Sequence, residues 1–146
     1  DKTAIESRHN AVSLLMDKEE LSSNLKIILS GVGDLERLAS KASSAKINPR
    51  ELVQLRRGLE AVIKVAEEAA GEEALLPTLE RLSPCDKLLW RLEKELEDEA
   101  PNQVGKGAVI KPGVDSELDQ VRSLAFESHK ALELIREREV ALTGIS

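Results

Sequence analysis

Residues 116–142 read SELDQVRSLAFESHKALELIREREVAL, twenty-seven positions without a glycine or a proline. Those two residues are the strongest local breakers. Their absence predicts one continuous helix, about 40 Å long at ~1.5 Å per residue. Leu118, Val121, Ala125, Ser128, Leu132, Ile135 and Leu142 recur at spacings of three and four, with a gap at Glu139. That is the period of one helical face. Nearly everything off the stripe is polar or charged, which describes a helix with one narrow partner rather than one sunk in a globule.

Immediately upstream the texture changes. Pro101, Gly105, Gly107, Pro112 and Gly113 crowd into residues 101–115, and Ala108-Val109-Ile110 is the only β-like run. This segment is expected to form a loop, or at most one small irregular hairpin near 104–113. Before it, helix starts dominate. Asn48-Pro49-Arg50-Glu51 supplies an N-cap, a proline at the first helical position and an acid two residues on. The helix it opens should run to Gly71. Ser83-Pro84-Cys85-Asp86 repeats the signal and opens a helix carrying Leu88, Leu89, Leu92 and Leu96. Glu72 to Leu82 reads as one or two short turns broken by Pro77.

Nearer the N-terminus, Asp34 is the expected N-cap of a short helix with Leu35, Leu38 and Ala42 inward. Thr3-x-x-Glu6 reads as a capping box opening a helix with Ile5, Val12, Leu15 and Met16 on one side. A second helix from about Lys18 to Ser30 carries Leu21, Leu25, Ile28 and Leu29, with Gly31 as a left-handed cap. The fold class is therefore all-α: a multi-helix body followed by a long C-terminal helix.

Composition narrows the function. Trp90 and Phe126 are the only aromatics among 146 residues, which argues against gripping single strands by base stacking. The net charge is −6, but residues 46–64 carry five bases and two acids, a local +3. Lys46, Arg56 and Arg57 are the candidates there for phosphate contact, set against the commoner outcome of salt bridges to acidic helices. Cys85 is the only cysteine, so no internal disulfide forms, which suits a reducing compartment. No apolar run approaches the ~20 residues of a membrane span. Asp1-Lys2-Thr3 shows neither an initiating Met nor the apolar run of a signal peptide, and a piece of a longer protein is expected.

Motifs for catalysis are missing. No Gly-Lys-Ser/Thr follows the glycines at 105, 107 and 113. His9 and His129 lie far apart, without metal-ligand partners at the usual spacing. Cys85 falls in a helical first turn with no histidine signature beside it. The pairs Glu67-Glu68 and Glu72-Glu73 and the run Glu97-Asp98-Glu99 read as solvated faces. Trp90, at helical spacing with Leu89 and Leu96, reads as core. No catalytic, cofactor or metal residue is assigned.

Several stretches, in order, resemble the middle of the MutS family of DNA mismatch-repair proteins. They are DKTAIESRHNAV (residues 1–12), GDLERL (33–38), NPRELVQLR (48–56), AVI through ELD (108–119), and RERE with LTGI (136–145). The chain departs from that pattern at Ala108, where a second glycine is expected, at Pro112, and at the less apolar Asn102-Gln103-Val104. The resemblance implies that residues 1–115 are the helical core part of the family's domain III. Residues 116–146 are then a lever helix leading to a clamp domain beyond the chain.

By the same resemblance, the parent protein binds mismatched double-stranded DNA, binds and hydrolyses ATP with Mg, self-dimerises and works with a MutL-type partner. It is a bacterial cytoplasmic protein, associated with the nucleoid when acting. This segment would hold no cofactor and no enzymatic site, and would transmit state between ATPase and clamp. Asp34, Glu36, Arg37, Arg50 and Glu51 would lock two short helices by charge-assisted bonds. Leu118, Val121, Leu132 and Ile135 form the lever stripe, expected to pair with another copy or to stay partly exposed.

Two other readings stand beside this one. The chain could be a stand-alone helical adaptor that binds partner helices through the 116–142 stripe. A weaker alternative is a small enzyme using Cys85.

Overall fold

The computed structural model describes residues 2–144. Seven α-helices follow one another among them: α1 (Lys2–Asp17), α2 (Glu19–Ser30), α3 (Leu35–Ser43), α4 (Pro49–Glu68), α5 (Leu76–Leu79), α6 (Asp86–Glu95) and α7 (Ser116–Thr143). A 3-10 turn at Glu73–Leu75 leads into α5. Among the described residues there is no β-strand, so the fold is all-α. The β-like run makes one isolated antiparallel bridge, Leu96 to Ile110, reinforced by the Glu97 N–H donating to the Val109 carbonyl at 2.9 Å. It pairs back to the end of α6 and builds no hairpin within 104–113. One compact unit runs to Ile110, and a second begins at Lys111.

The first unit is organised by α4. Asn48 starts it with a complete capping box: its side chain accepts from the Glu51 N–H, and the Glu51 carboxylate accepts from the Asn48 N–H, with Pro49 in the first turn. Val53, Leu55, Arg56, Gly58, Leu59 and Ala61 are all buried. At ~100° per residue those positions wrap most of the circumference, which makes α4 a central column. It packs against α2, α3 and α6, while α1 packs on α2 and on the 3-10 turn. At Gly58 a Cβ would lie 2.3 Å from Leu35 Cδ2, so the missing side chain is what lets α3 approach α4 closely.

Three clusters divide the core along this column. Leu21, Leu25, Ala69 and Leu75 form one, backed by Leu14, Leu15 and Val65. Leu38, Leu55, Leu59 and Leu89 form the second, between α3, α4 and α6. Val53, Leu96 and Ala100 form the third, with Val109 packed against them.

Several local expectations are corrected. Helix α1 already includes Lys2, so Thr3 lies inside its first turn instead of capping it. Its inward face is Ala11, Leu14 and Leu15, whereas Ile5, Val12 and Met16 are exposed. Gly31 closes α2 at φ −85°, a right-handed conformation. Helix α4 ends at Glu68, and Gly71 follows in a turn. Helix α6 starts at Asp86, not at Ser83, because Cys85 adopts φ 54°, outside the helical region.

Candidate functional site

The charged residues of α3 and the start of α4 meet on one carboxylate. Asp34 caps α3, accepting from the Arg37 N–H at 2.9 Å. Arg37 Nη1 then donates to Glu51 Oε1 at 3.3 Å. Lys41 Nζ donates to the same oxygen at 2.5 Å. The other oxygen of Glu51 accepts from the Asn48 N–H at 3.2 Å. Glu51 therefore closes its own helix start and ties α3 to it.

Among the residues assigned to this lock, Asp34, Arg37 and Glu51 come together. Glu36 and Arg50 are exposed and have no ion pair among the described residues. Lys41 completes the lock and was not singled out by sequence. Its spacing of four from Arg37, on a helix only nine residues long, places both cations on one face.

The lock has an electrostatic signature. Hydrogen bonding from Lys41, then from the Asn48 N–H, holds the Glu51 carboxyl below its usual value of 4.5, with Arg37 adding to the effect and burial opposing it. A depressed folded-state pKa means stabilisation present above the unfolded value near 4.5 and lost as pH falls through the folded one. Thermal melts of the native chain and of Glu51→Gln should therefore differ at neutral pH and converge in acid. Parallel curves at all pH values would contradict the assignment.

The basic segment separates into unlike parts. Arg56 is buried at 7% exposure. Its Nη1 donates to Asp98 Oδ1 at 2.6 Å, and Nε lies 3.2 Å from Glu60 Oε1, in an orientation that leaves Nε without a hydrogen bond. This corrects its candidacy for phosphate contact: the guanidinium is an internal strut between α4 and the segment after α6. Arg57 Nη2 lies 3.5 Å from the exposed Glu99 carboxylate. Lys46 is exposed. Two further ties escaped the sequence reading: Lys18 Nζ donates to both Glu72 oxygens, at 2.6 and 2.9 Å, and Asn24 to Glu68 at 2.7 Å. Partners 54 and 44 residues apart leave no local pattern to read.

The other singled-out residues are on the surface. Trp90 is 58% exposed, with Lys94 Nζ 4.8 Å from its ring centroid. The core side of α6 belongs to Leu89, with Leu92 packed against the same cluster. Cys85 is exposed. His9 is exposed, and His129 faces Glu133 at 3.5 Å, one turn along α7. Among the described residues no group of three or more His, Cys, Asp or Glu is placed to hold a metal ion, and no helix is long and apolar enough to cross a membrane.

Helix α7 spans 28 residues. On its stripe, Leu118 is half-buried, whereas Val121, Leu132 and Ile135 are exposed. Leu142, on the same stripe, is exposed as well, and exposed Leu124 widens that face. Phe126 and Leu134, also exposed, project elsewhere at ~100° per residue, so the apolar surface is wider than one narrow stripe.

A helical body with a charge-locked core and a long, apolar-surfaced final helix can be set against known proteins. The family model described as MutS domain III matches residues 1–143. The DNA mismatch repair protein MutS of Cytophaga hutchinsonii is 37% identical over 146 residues. Those of Bacteroides fragilis and Christiangramia forsetii are each 38% identical, over 147 and 148 residues. These alignments cover 99–100% of this chain but only 17% of each relative. With the profile running almost end to end over an all-α fold, the chain belongs to the MutS domain III family.

Proposed function

We propose that the chain is the structural transmission segment of a longer MutS-type mismatch-repair protein, coupling an ATPase domain to a DNA clamp. It performs no chemistry itself. ATP with Mg binds elsewhere in the longer protein, which contacts mismatched double-stranded DNA, self-dimerises and engages a MutL-type partner in the bacterial cytoplasm, at the nucleoid. The shared family and the relatives' names support the mismatch-repair setting. The observation that carries the coupling role is α7, 28 residues unbroken from its Asp115 cap to Gly144. At ~1.5 Å per residue it is about 42 Å long, so a tilt of ~10° at one end moves the other by roughly 7 Å. Its exposed apolar surface also suits the adaptor reading, in which partner helices dock there.

A break in the rod separates the two. Ala131 is exposed in mid-α7, and proline there removes a helical hydrogen bond and kinks the helix. In the full-length protein, Ala131→Pro should leave ATP hydrolysis without DNA within about twofold, yet slow ATP-triggered release from a mismatched duplex about tenfold or more. Ala131→Ser serves as control. Release at the native rate would overturn the transmission role.

A further inference from the structure

We propose that Asp119 is a positioning residue that fixes the left-handed turn at Gly113, just ahead of the start of α7, and so holds the base of the rod in one conformation. This inference rests on the transmission reading above. Gly113, three residues before α7, has φ 81°, in the left-handed region that side chains avoid. A Cβ there would meet nothing within 4 Å. Glycine is thus present for the backbone conformation and not for room. The Gly113 N–H donates to Asp119 Oδ2 at 2.6 Å, and the other oxygen, Oδ1, accepts from Arg122 Nη1 at 3.3 Å.

Helix initiation does not require this arrangement. Asp115 already caps α7, one oxygen accepting from the Glu117 and Leu118 N–H groups at 3.0 Å each. Asp119 instead reaches back across the first turn to a residue that precedes the cap. Arg122, one turn on, limits the rotamers open to it. The two side chains are 32% and 34% exposed, so water competes with the contact only in part. The outcome is a left-handed turn clamped by a carboxylate that is itself braced from the helix it serves. Loss of the clamp would leave α7 helical but loosen the turn at Gly113.

The test uses the full-length protein, with amide hydrogen exchange and ATP-triggered DNA release as readouts. In Asp119→Ala, exchange at Gly113 should accelerate about tenfold or more, while residues 124–135 keep native protection. Release should slow by about fivefold or more with ATP hydrolysis unchanged in the absence of DNA. Asp119→Asn keeps an acceptor oxygen and should restore both to within about twofold. Asp115→Ala should loosen the first turn of α7 without this selectivity for Gly113. Unchanged exchange at Gly113 in Asp119→Ala overturns the clamp. Accelerated exchange with native release, where Ala131→Pro does slow release, overturns the positioning role and leaves the transmission reading intact. If neither variant slows release, that reading falls and the positioning role falls with it.

Discussion

Leu38→Ala should lower the free energy of unfolding by about 2–5 kcal/mol and the melting temperature by roughly 5–15 °C. Leu38 is the most completely enclosed large side chain in the described chain, at 1% exposure. It lies in the cluster that joins α3, α4 and α6, with Leu55, Leu59 and Leu89. The truncation removes apolar area from the fold and also leaves a cavity, and the two costs add. Collapse around that cavity is restricted because Leu35, the other apolar anchor of α3, is already pressed against Gly58. Helix α3 is only nine residues long, too short to persist without its packing. Loss of its anchor should therefore also loosen Arg37 and Lys41 from Glu51. The matched control is Leu29→Ala at an exposed position, expected to stay within about 0.5 kcal/mol of native. Equal melting temperatures for the two variants would refute the proposed core.

The second large effect concerns Arg56. Removing both of its acidic neighbours, as Glu60→Gln with Asp98→Asn, should destabilise by about 3 kcal/mol, because a buried guanidinium then lacks a counter-charge. Asp98 is itself two-thirds exposed, so water offsets part of the loss and holds the cost to the lower end of the usual range. Adding Arg56→Met to that pair should recover most of it, since an unbranched apolar side chain carries no buried charge to compensate. Urea titration of the single, double and triple variants measures the coupling. A double variant as stable as the native chain would mean that Arg56 escapes to solvent, and would reopen it to phosphate.

What could be read from sequence follows from the range of the forces involved. Asn48-Pro49-Arg50-Glu51 is legible because a capping box is settled within four residues, and α7 because nothing between Ser116 and Thr143 interrupts it. Asp34 as the cap of α3 is equally local. The inward face of α1 is not local. Ile5, Val12 and Met16 fit a helical stripe as well as Ala11, Leu14 and Leu15 do, and only the position of α2 and the 3-10 turn decides between them. Trp90 fails similarly: the 3.6 period admits it beside Leu89, but it is Leu89 that meets Leu38 and Leu55, and Trp90 faces water. Arg56 looked like a surface base because its partner Asp98 lies 42 residues away. The turn at Gly113 and its partner Asp119 stand at a readable spacing, yet the choice of acceptor for that N–H is a matter of three-dimensional geometry.

The surface position of Trp90 has a spectroscopic consequence. It is the only indole in a chain without tyrosine, and more than half of it already faces water. Its emission therefore differs little between the folded and unfolded chain. The three apolar clusters hold no aromatic side chain and are optically silent in the near ultraviolet. Unfolding of the whole body must be followed through the peptide bond, by far-ultraviolet circular dichroism or amide exchange.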